Sequence, residues 1–330
     1  MRAWHIESFG KLTCSDIPEP VAGPGQLLVA VRAVSLNFRD HLMVGGLYDS
    51  RLALPLIPGS DCCGVVVSGG EGTNTAVGTR VVPSFNTLWT DGPLTDAVRP
   101  GTLGGPVSGV FAQRIVVPED SVIVAPKHLT DAEAATLPCA GVTAWRALVT
   151  DANVGPDMSV LTLGTGGVSV FAVQLATALG ARVAVTSSSD AKLEQMRELG
   201  AVHTVNYRTT PKWGRAIREW QPVDVVVELG GAGTLKQSLA AIKTGGHIAL
   251  IGVLDGGVTE VPLTQILMRA IRVQGVFVGS RADLAALADF LVRHPEVRPV
   301  IDHVATFDDL GTELIRLATG QHVGKVVVAF

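Results

Sequence analysis

Residues 158–180 read MSVLTLGTGGVSVFAVQLATALG. An apolar run up to Leu163 meets a glycine-rich turn at Gly164, Gly166 and Gly167, and a second apolar stretch then continues to Gly180. No charge interrupts Met158 to Ala181, a length that could span a bilayer. The glycines and Gln174 punctuate it instead as strand, turn and helix. Gly164 permits a tight turn, and Gly166 lets backbone approach a pyrophosphate whose charge rests on the N-terminal dipole of the following helix. Ser169 stands where a third glycine would allow the closest helix–strand packing. This pattern predicts a dinucleotide bound by Gly164, Thr165, Gly166, Gly167 and Val168.

Downstream, strand and helix alternate. ARVAVT leads into AKLEQMREL and Gly200, and further strands are expected at Val202–Asn206, Val223–Leu229, His247–Gly252 and Arg272–Val278. With the first strand these make six, an α/β Rossmann arrangement with a doubly wound parallel sheet. Upstream, QLLVAVRAVSL, CCGVVVSGG, GTRVVPSF and FAQRIVVPEDSVIVAP read as short strands between Gly/Pro turns. Trp89 to Gly109 shows little periodicity, as a lid or surface excursion would. At Leu129 the pattern turns helical, opened by a Thr130–Glu133 capping box and interrupted by Pro138. The final HVATF and GKVVVAF flank a helix over 308–318 and need a sheet to join. Two domains are expected: a β domain over 1–122 completed by 296–330, and a dinucleotide-binding domain over 123–295.

The second strand of a dinucleotide fold usually ends in an acid that bonds the ribose 2′-hydroxyl. Here it ends in Thr186, Ser187, Ser188 and Ser189. Hydroxyls donate to a 2′-phosphate and a cation pairs with it, so Ser187, Ser188, Lys192 and Tyr207 point to NADPH (NADP) as cofactor. Asp190 could supply the acid, but its place suits the first helical turn.

Composition narrows the partners. The 330 residues are 47% hydrophobic and 17% charged, with 37 glycines, 18 prolines and a net charge of −4, which describes a packed globular chain. No basic run invites nucleic acid or an anionic membrane, so a small molecule is the expected partner. Cys14, Cys62, Cys63 and Cys139 form neither a disulfide framework nor a CxxC site. Vicinal Cys62 and Cys63 read as strand core, and Cys139 as a small buried helix residue. Charges and a histidine interrupt MRAWHIESFGK too often for a signal peptide, so a cytoplasmic protein with reduced thiols is expected.

The ordered blocks AVSLNFRDHLMVGGLY (33–48), PLIPGSDCCGVVV (55–67), GTRVV (78–82), LPCAGVTAWRAL (137–148) and LGTGGVSVFAVQLA (163–176) resemble the medium-chain dehydrogenase/reductase superfamily. The resemblance spans nearly the whole chain and implies a GroES-like β domain beside the Rossmann domain. Zinc-containing members hold a catalytic metal with Cys, His and Cys. The corresponding positions here are Asn37, Ser60 and Cys139, and the four-cysteine structural zinc loop has no counterpart in Trp89–Gly109. One thiol cannot hold a zinc that needs three protein ligands, so no metal is expected.

Without zinc the chain is similar to quinone oxidoreductases and enoyl reductases, through Asn37-Phe38-Arg39-Asp40 and Gly46-Leu47-Tyr48. That resemblance implies catalytic roles for Asn37 and Tyr48, and nicotinamide contacts from Thr143, Gly252, Val253, Phe277 and Val278, with Lys325 near the cofactor. Arg39 and Asp40 also read as a structural ion pair at a helix start. Hydride delivery to an enone or quinone places charge on an oxygen, which a hydroxyl or amide donor can stabilise. The expected function is therefore NADPH-dependent, zinc-independent reduction of a quinone or α,β-unsaturated carbonyl compound. An NADP-dependent alcohol dehydrogenase and a cofactor-binding protein with little turnover are the alternatives. A homodimer through the sheet edge near Arg272–Val278 is implied as well.

Overall fold

The β-branched runs form strands, and glycine or proline ends most of them. In chain order the first part contains β1 (Arg2–Ser8), β2 (Lys11–Asp16), β3 (Gln26–Ser35), helix α1 (Phe38–Val44), β4 (Cys62–Gly69), β5 (Arg80–Pro83), β6 (Arg114–Pro118) and β7 (Val122–Val124). Helices α2 (Asp131–Ala134) and α3 (Val142–Trp145) flank a π-helical turn over Leu137–Gly141. Then come β8 (Ser159–Leu163), α4 (Gly167–Ala178), β9 (Arg182–Ser187), α5 (Asp190–Glu198), β10 (Ala201–Asn206), α6 (Trp213–Trp220), β11 (Val223–Glu228), α7 (Leu235–Ala241), β12 (Ile242–Leu250), α8 (Leu263–Met268) and β13 (Arg272–Gly275). The chain finishes with α9 (Arg281–Arg293), β14 (Ile301–Thr306), α10 (Leu310–Ala318) and β15 (Lys325–Ala329). The structure, a computed structural model, describes residues 1–330.

Two compact units result, Met1–Val142 with Val278–Phe330, and Thr143–Phe277. The sequence reading placed the divisions at 122/123 and 295/296; the structure places them at 142/143 and 277/278. The reason is packing: α2 lies against β3 and β4, and α9 lies against β7. Glu133, besides closing the capping box on Thr130, accepts two bonds from Arg298. Pro138 falls inside the π-helical turn, where a missing N–H interrupts the helix as expected.

In the first unit the sheet order is β14-β15-β3-β4-β5-β7, with β6 also on β3. The closing strand β15 joins β3 antiparallel, Val328 opposite Val34, so the chain end does rejoin the N-terminal part. The β1–β2 hairpin was not anticipated, because its buried residues Ala3 and Ile6 break strict alternation. The stretch 89–109 is an anchored excursion: Trp89 and Leu103 are buried, and Arg281 N–H donates to the Trp89 carbonyl at 2.9 Å. Leu27, Val29, Val34, Phe111 and Val328 belong to the core of this unit.

In the second unit six parallel strands run in the order β10-β9-β8-β11-β12-β13, the doubly wound arrangement expected. Covered on both faces, β8 is buried at every position. The charge-free stretch resolves into β8, a turn and α4, and no helix of the chain is long and apolar enough to cross a membrane.

One inner-strand residue sets an acid limit. His247 on β12 is 3% exposed and neither ring nitrogen has a hydrogen-bond partner. Burial, with help from Arg272, pushes its pKa down to about 4 from an ordinary 6.5. Between those values the unfolded chain binds the extra proton, so stability falls as pH drops from 6.5 towards 4. His247→Leu is expected to flatten this loss, read as the change in urea midpoint between pH 7 and pH 5. An identical drop in both proteins would rule His247 out as a source.

Candidate active site

Because the strands of the second unit are parallel, their carboxyl ends share one edge, where ligands of such sheets bind. Gly164, at φ 76°, follows β8 and its N–H donates to the Thr186 carbonyl at 2.7 Å, tying the turn to β9. A Cβ placed on Gly164 or Gly166 would meet nothing within 4 Å, so the backbone there borders open space. Gly166 caps α4 without any side-chain acceptor. The first-turn N–H groups of Gly167 and Val168 are thus left uncovered by a capping side chain, and Thr165 is buried beside them. Ser169 turns its hydroxyl back onto the Leu163 carbonyl at 2.7 Å, so it closes the strand end rather than crowding the turn. A cradle of bare backbone at a 12-residue helix N-terminus fits a dinucleotide pyrophosphate.

At the next strand ends, Ser187 is buried and its carbonyl accepts Tyr207 N–H at 3.0 Å. Ser189 is the N-cap of α5, its hydroxyl 3.4 Å from Lys192 N. Ser187, Ser188, Lys192 and Tyr207 are therefore gathered where β9 and β10 end. Asp190 lies in the first turn of α5 and accepts from Asn206 Nδ2 at 2.8 Å.

Glu228, which the sequence reading passed over, organises the far side of the edge. It is fully buried and accepts from Gly230 N (2.9 Å), Gly231 N (3.1 Å), Thr234 Oγ1 (2.5 Å) and Ser238 Oγ. Its backbone carbonyl accepts from Ile251 and Gly252 N–H, so one residue holds both the 230–234 loop and the turn after β12. A Cβ on Gly252 would sit 2.4 Å from the Leu229 carbonyl, which only glycine avoids. Val253 beyond it is exposed. The available signal was an acid ending a buried strand just before GGAGT. Thr143 is buried on α3, and Phe277 follows β13. Val278 has φ 53°, a conformation that costs a β-branched residue about 1–2 kcal/mol.

The first unit brings other residues together. Asn37 is 8% exposed at the start of α1, and its N–H donates to Asp40 Oδ2 at 2.8 Å. Lys325, expected near the cofactor, is 4% exposed and donates from Nζ to Asn37 Oδ1 at 2.5 Å and to the Leu36 carbonyl at 2.6 Å. Asn37 Nδ2 lies 3.5 Å from both Ser60 Oγ and the Ser35 carbonyl. Ser60 donates to Asp61 Oδ1 at 2.7 Å, and Asp61 Oδ2 accepts Cys139 N–H at 3.2 Å. Burial pushes the Asp61 carboxyl up while Lys325 pulls it down. Burial likewise raises Asp40 to about 7 against the pull of Arg39.

Arg39 and Asp40 approach to 3.9 Å, the ion pair anticipated at the helix start. Arg39 also donates to the Leu103 and Gly105 carbonyls at 3.1 and 3.0 Å, with its guanidinium 5.1 Å from the ring centroids of Tyr48 and Phe85. It pins the 103–105 turn to α1 and supplies a platform for Tyr48. Tyr48 itself is 46% exposed.

Catalytic zinc does not fit this donor set. The amide oxygen of Asn37 already receives an ammonium, and the Ser60 hydroxyl donates to a carboxylate. A dication there would face the charge of Lys325, and no group of three or more His, Cys, Asp or Glu side chains could hold a metal. Cys62 and Cys63 are buried on β4, and burial raises their thiol pKa values, that of Cys63 to about 12. Cys139 is half-buried as a residue, yet desolvation dominates its thiol and raises its pKa too.

Comparison with known proteins bears on this arrangement. The sequence model described as alcohol dehydrogenase GroES-like domain matches residues 23–127, and that described as zinc-binding dehydrogenase matches residues 167–293. A zinc-type alcohol dehydrogenase-like protein of Schizosaccharomyces pombe is 41% identical, over 98% of this chain and 96% of that protein. A crystal structure from Sinorhizobium meliloti 1021, assigned as an alcohol dehydrogenase, superimposes with a TM-score of 0.92 at 38% identity, covering 100% of this chain and 98% of the other. A crystal structure of an NAD-dependent alcohol dehydrogenase gives a TM-score of 0.92 at 30% identity, with both chains fully covered.

The Glu228 cage yields a stability test. Glu228→Gln puts an amide donor among four donors, and the unmatched groups are expected to cost about 2–3 kcal/mol. Urea unfolding and hydrogen exchange over 230–234 read the loss and its location. A change below about 0.5 kcal/mol, the range of ordinary surface substitutions, would show that the cage is dispensable.

Proposed function

The chain belongs to the medium-chain dehydrogenase/reductase superfamily and is an NAD(P)H-dependent oxidoreductase; from that premise we propose that it is an NADPH-dependent, zinc-independent reductase of quinones or α,β-unsaturated carbonyl compounds. The observation that carries this reading is that two of the three positions the resemblance aligns with zinc ligands hold a buried amide (Asn37) and a hydroxyl (Ser60), with an ammonium bonded to the amide oxygen. A bound NADPH supplies the hydride. As the acceptor gains charge on its oxygen, Asn37 offers an amide N–H: Nδ2 carries two hydrogens, beside the Asp61 carboxyl and at a long 3.5 Å from Ser60 Oγ and the Ser35 carbonyl. Hydrogen-bond donors aimed at developing charge in a water-poor site provide the stabilisation that a Lewis acid gives elsewhere. Tyr48, half-exposed on its Arg39 platform, donates a second hydrogen bond and, with water, the proton.

Preference for NADPH is supported by the serine run that ends β9 and by Asp190, whose carboxylate is engaged by Asn206. An NADP-linked alcohol dehydrogenase or aldehyde reductase is the second reading, favoured by the names of the related proteins. Measuring kcat/KM with NADPH and NADH, for para-benzoquinone, crotonaldehyde and simple alcohols in both directions, separates the two.

Exposure supports a homodimer through the β13 edge. Helix α8 buries none of its residues, with Leu267 77% and Met268 80% exposed, and β13 is an edge strand. Pairing two such edges across a two-fold axis covers both features. Light scattering is expected to give a dimer for the wild type and a monomer for Leu267→Glu/Met268→Glu; a wild-type monomer refutes the pairing.

Asn37→Ala is expected to lower kcat about 100-fold, the loss typical of a donor to developing oxyanion charge. Tyr48→Phe is expected to lower it at least about tenfold, as removal of a positioned proton donor does. NADPH affinity should change little in either. Wild-type turnover in both variants would remove these roles.

A further inference from the structure

The least expected contact in the first unit is a cation on an uncharged amide. Lys325 Nζ has two oxygen partners, Asn37 Oδ1 and the Leu36 carbonyl, and neither is a carboxylate. A buried ammonium is costly without compensation, so a lysine placed this way demands a reason. Its charge is answered at a distance. From Lys325 the bonds run to Asn37 Oδ1, from Asn37 Nδ2 to Ser60 Oγ, and from Ser60 Oγ to Asp61 Oδ1, so a directed chain links a cation to an acid through the amide. Cys139 N–H closes the far end on Asp61 Oδ2.

We propose that Lys325 is a positioning residue for the reduction, orienting and polarising the Asn37 side chain so that its Nδ2–H faces the acceptor oxygen. The proposal rests on the reading of Asn37 as the donor to that oxygen. Two physical effects support it. An amide turned the other way would set its NH2 group against an NH3⁺ group at 2.5 Å, donor against donor, so the ammonium permits one orientation. A charge-assisted bond to the carbonyl oxygen also draws electron density from the amide and strengthens donation by its N–H. On the nitrogen side Ser60 and Ser35 each lie 3.5 Å from Nδ2, and the Asp61 carboxyl accepts from the amide. The ammonium at the oxygen and the acid at the nitrogen thus favour the same orientation, and Nδ2 has two hydrogens to share between Asp61 and the acceptor.

Lys325→Met keeps the length of the stem and removes the charge. With NADPH and either para-benzoquinone or crotonaldehyde, kcat is expected to fall by about tenfold or more, part of the loss that removal of a whole oxyanion donor brings. The dissociation constant for NADPH, measured by fluorescence quenching, should stay within about twofold, because a positioning role spares uniform binding. In an Asn37→Ala background the same substitution should cost less than about twofold, because residues acting as one unit are not additive. A purely structural lysine would lower kcat equally in both backgrounds, and that result overturns the proposal. So does a tenfold loss of NADPH affinity with kcat unchanged, which would make the ammonium a cofactor contact. If Asn37→Ala alone turns over at the wild-type rate, the donor reading of Asn37 fails first and carries this proposal with it. Should Lys325→Met not fold, the Lys325→Met/Asp61→Asn pair removes both charges and permits the same comparison.

Discussion

The antiparallel pairing of β15 with β3 is the constraint on which the candidate catalytic cluster depends. Val327 lies opposite Ser35 and Val328 opposite Val34, which carries Lys325 to the end of β3 where Leu36 and Asn37 leave the sheet. The ammonium then reaches an amide that lies 288 positions earlier in the chain. Without that register the lysine would be an ordinary cation on a terminal strand. With it, the ammonium is sealed in the β unit and must be compensated there, and the Ser60–Asp61 pair does so through the Asn37 amide.

A second consequence concerns how one fold accommodates different electrostatic helpers. Asn37 and Ser60, which the resemblance aligns with zinc ligands, are bonded here to Lys325 and to Asp61. A network with an internal cation and an internal acid is self-contained. In the proposed reduction it would present the developing charge of an acceptor with a neutral N–H donor backed by positive charge. Arg39 extends the same logic outwards, fixing the 103–105 turn by two hydrogen bonds and holding Tyr48 by its ring.

The dinucleotide edge is organised differently, by backbone. The turns that follow β8, β10 and β12 are laced to neighbouring strand ends by main-chain bonds: Gly164 N–H to Thr186, Tyr207 N–H to Ser187 and Gly252 N–H to Glu228. Small residues leave the space, and the Glu228 carboxylate replaces the backbone partners that the 230–234 loop lacks. A side chain at Gly164, at φ 76°, or at Gly252, whose Cβ would meet the Leu229 carbonyl, would not fit this arrangement.

Local patterns were legible because their physics is local. A glycine-rich turn between an apolar strand and an apolar helix, a capping box at Thr130 and Glu133, and serines where an acid usually stands are all readable within a few residues. So the parallel sheet, the glycine turn that opens α4 and the strand-core cysteines could be read from the chain alone. Unit boundaries were not, since α2 and α9 could have packed on either unit and only contacts decided it. The same holds for the hairpin β1–β2, whose alternation is broken, and for Glu228, whose four donors come from a loop and a helix. Lys325 shows the difference most clearly. Its sequence neighbours mark a strand, but which buried oxygen its ammonium would meet was settled by long-range strand register, because a hydrogen bond depends on distance in space and residues far apart in sequence carry no local trace of it.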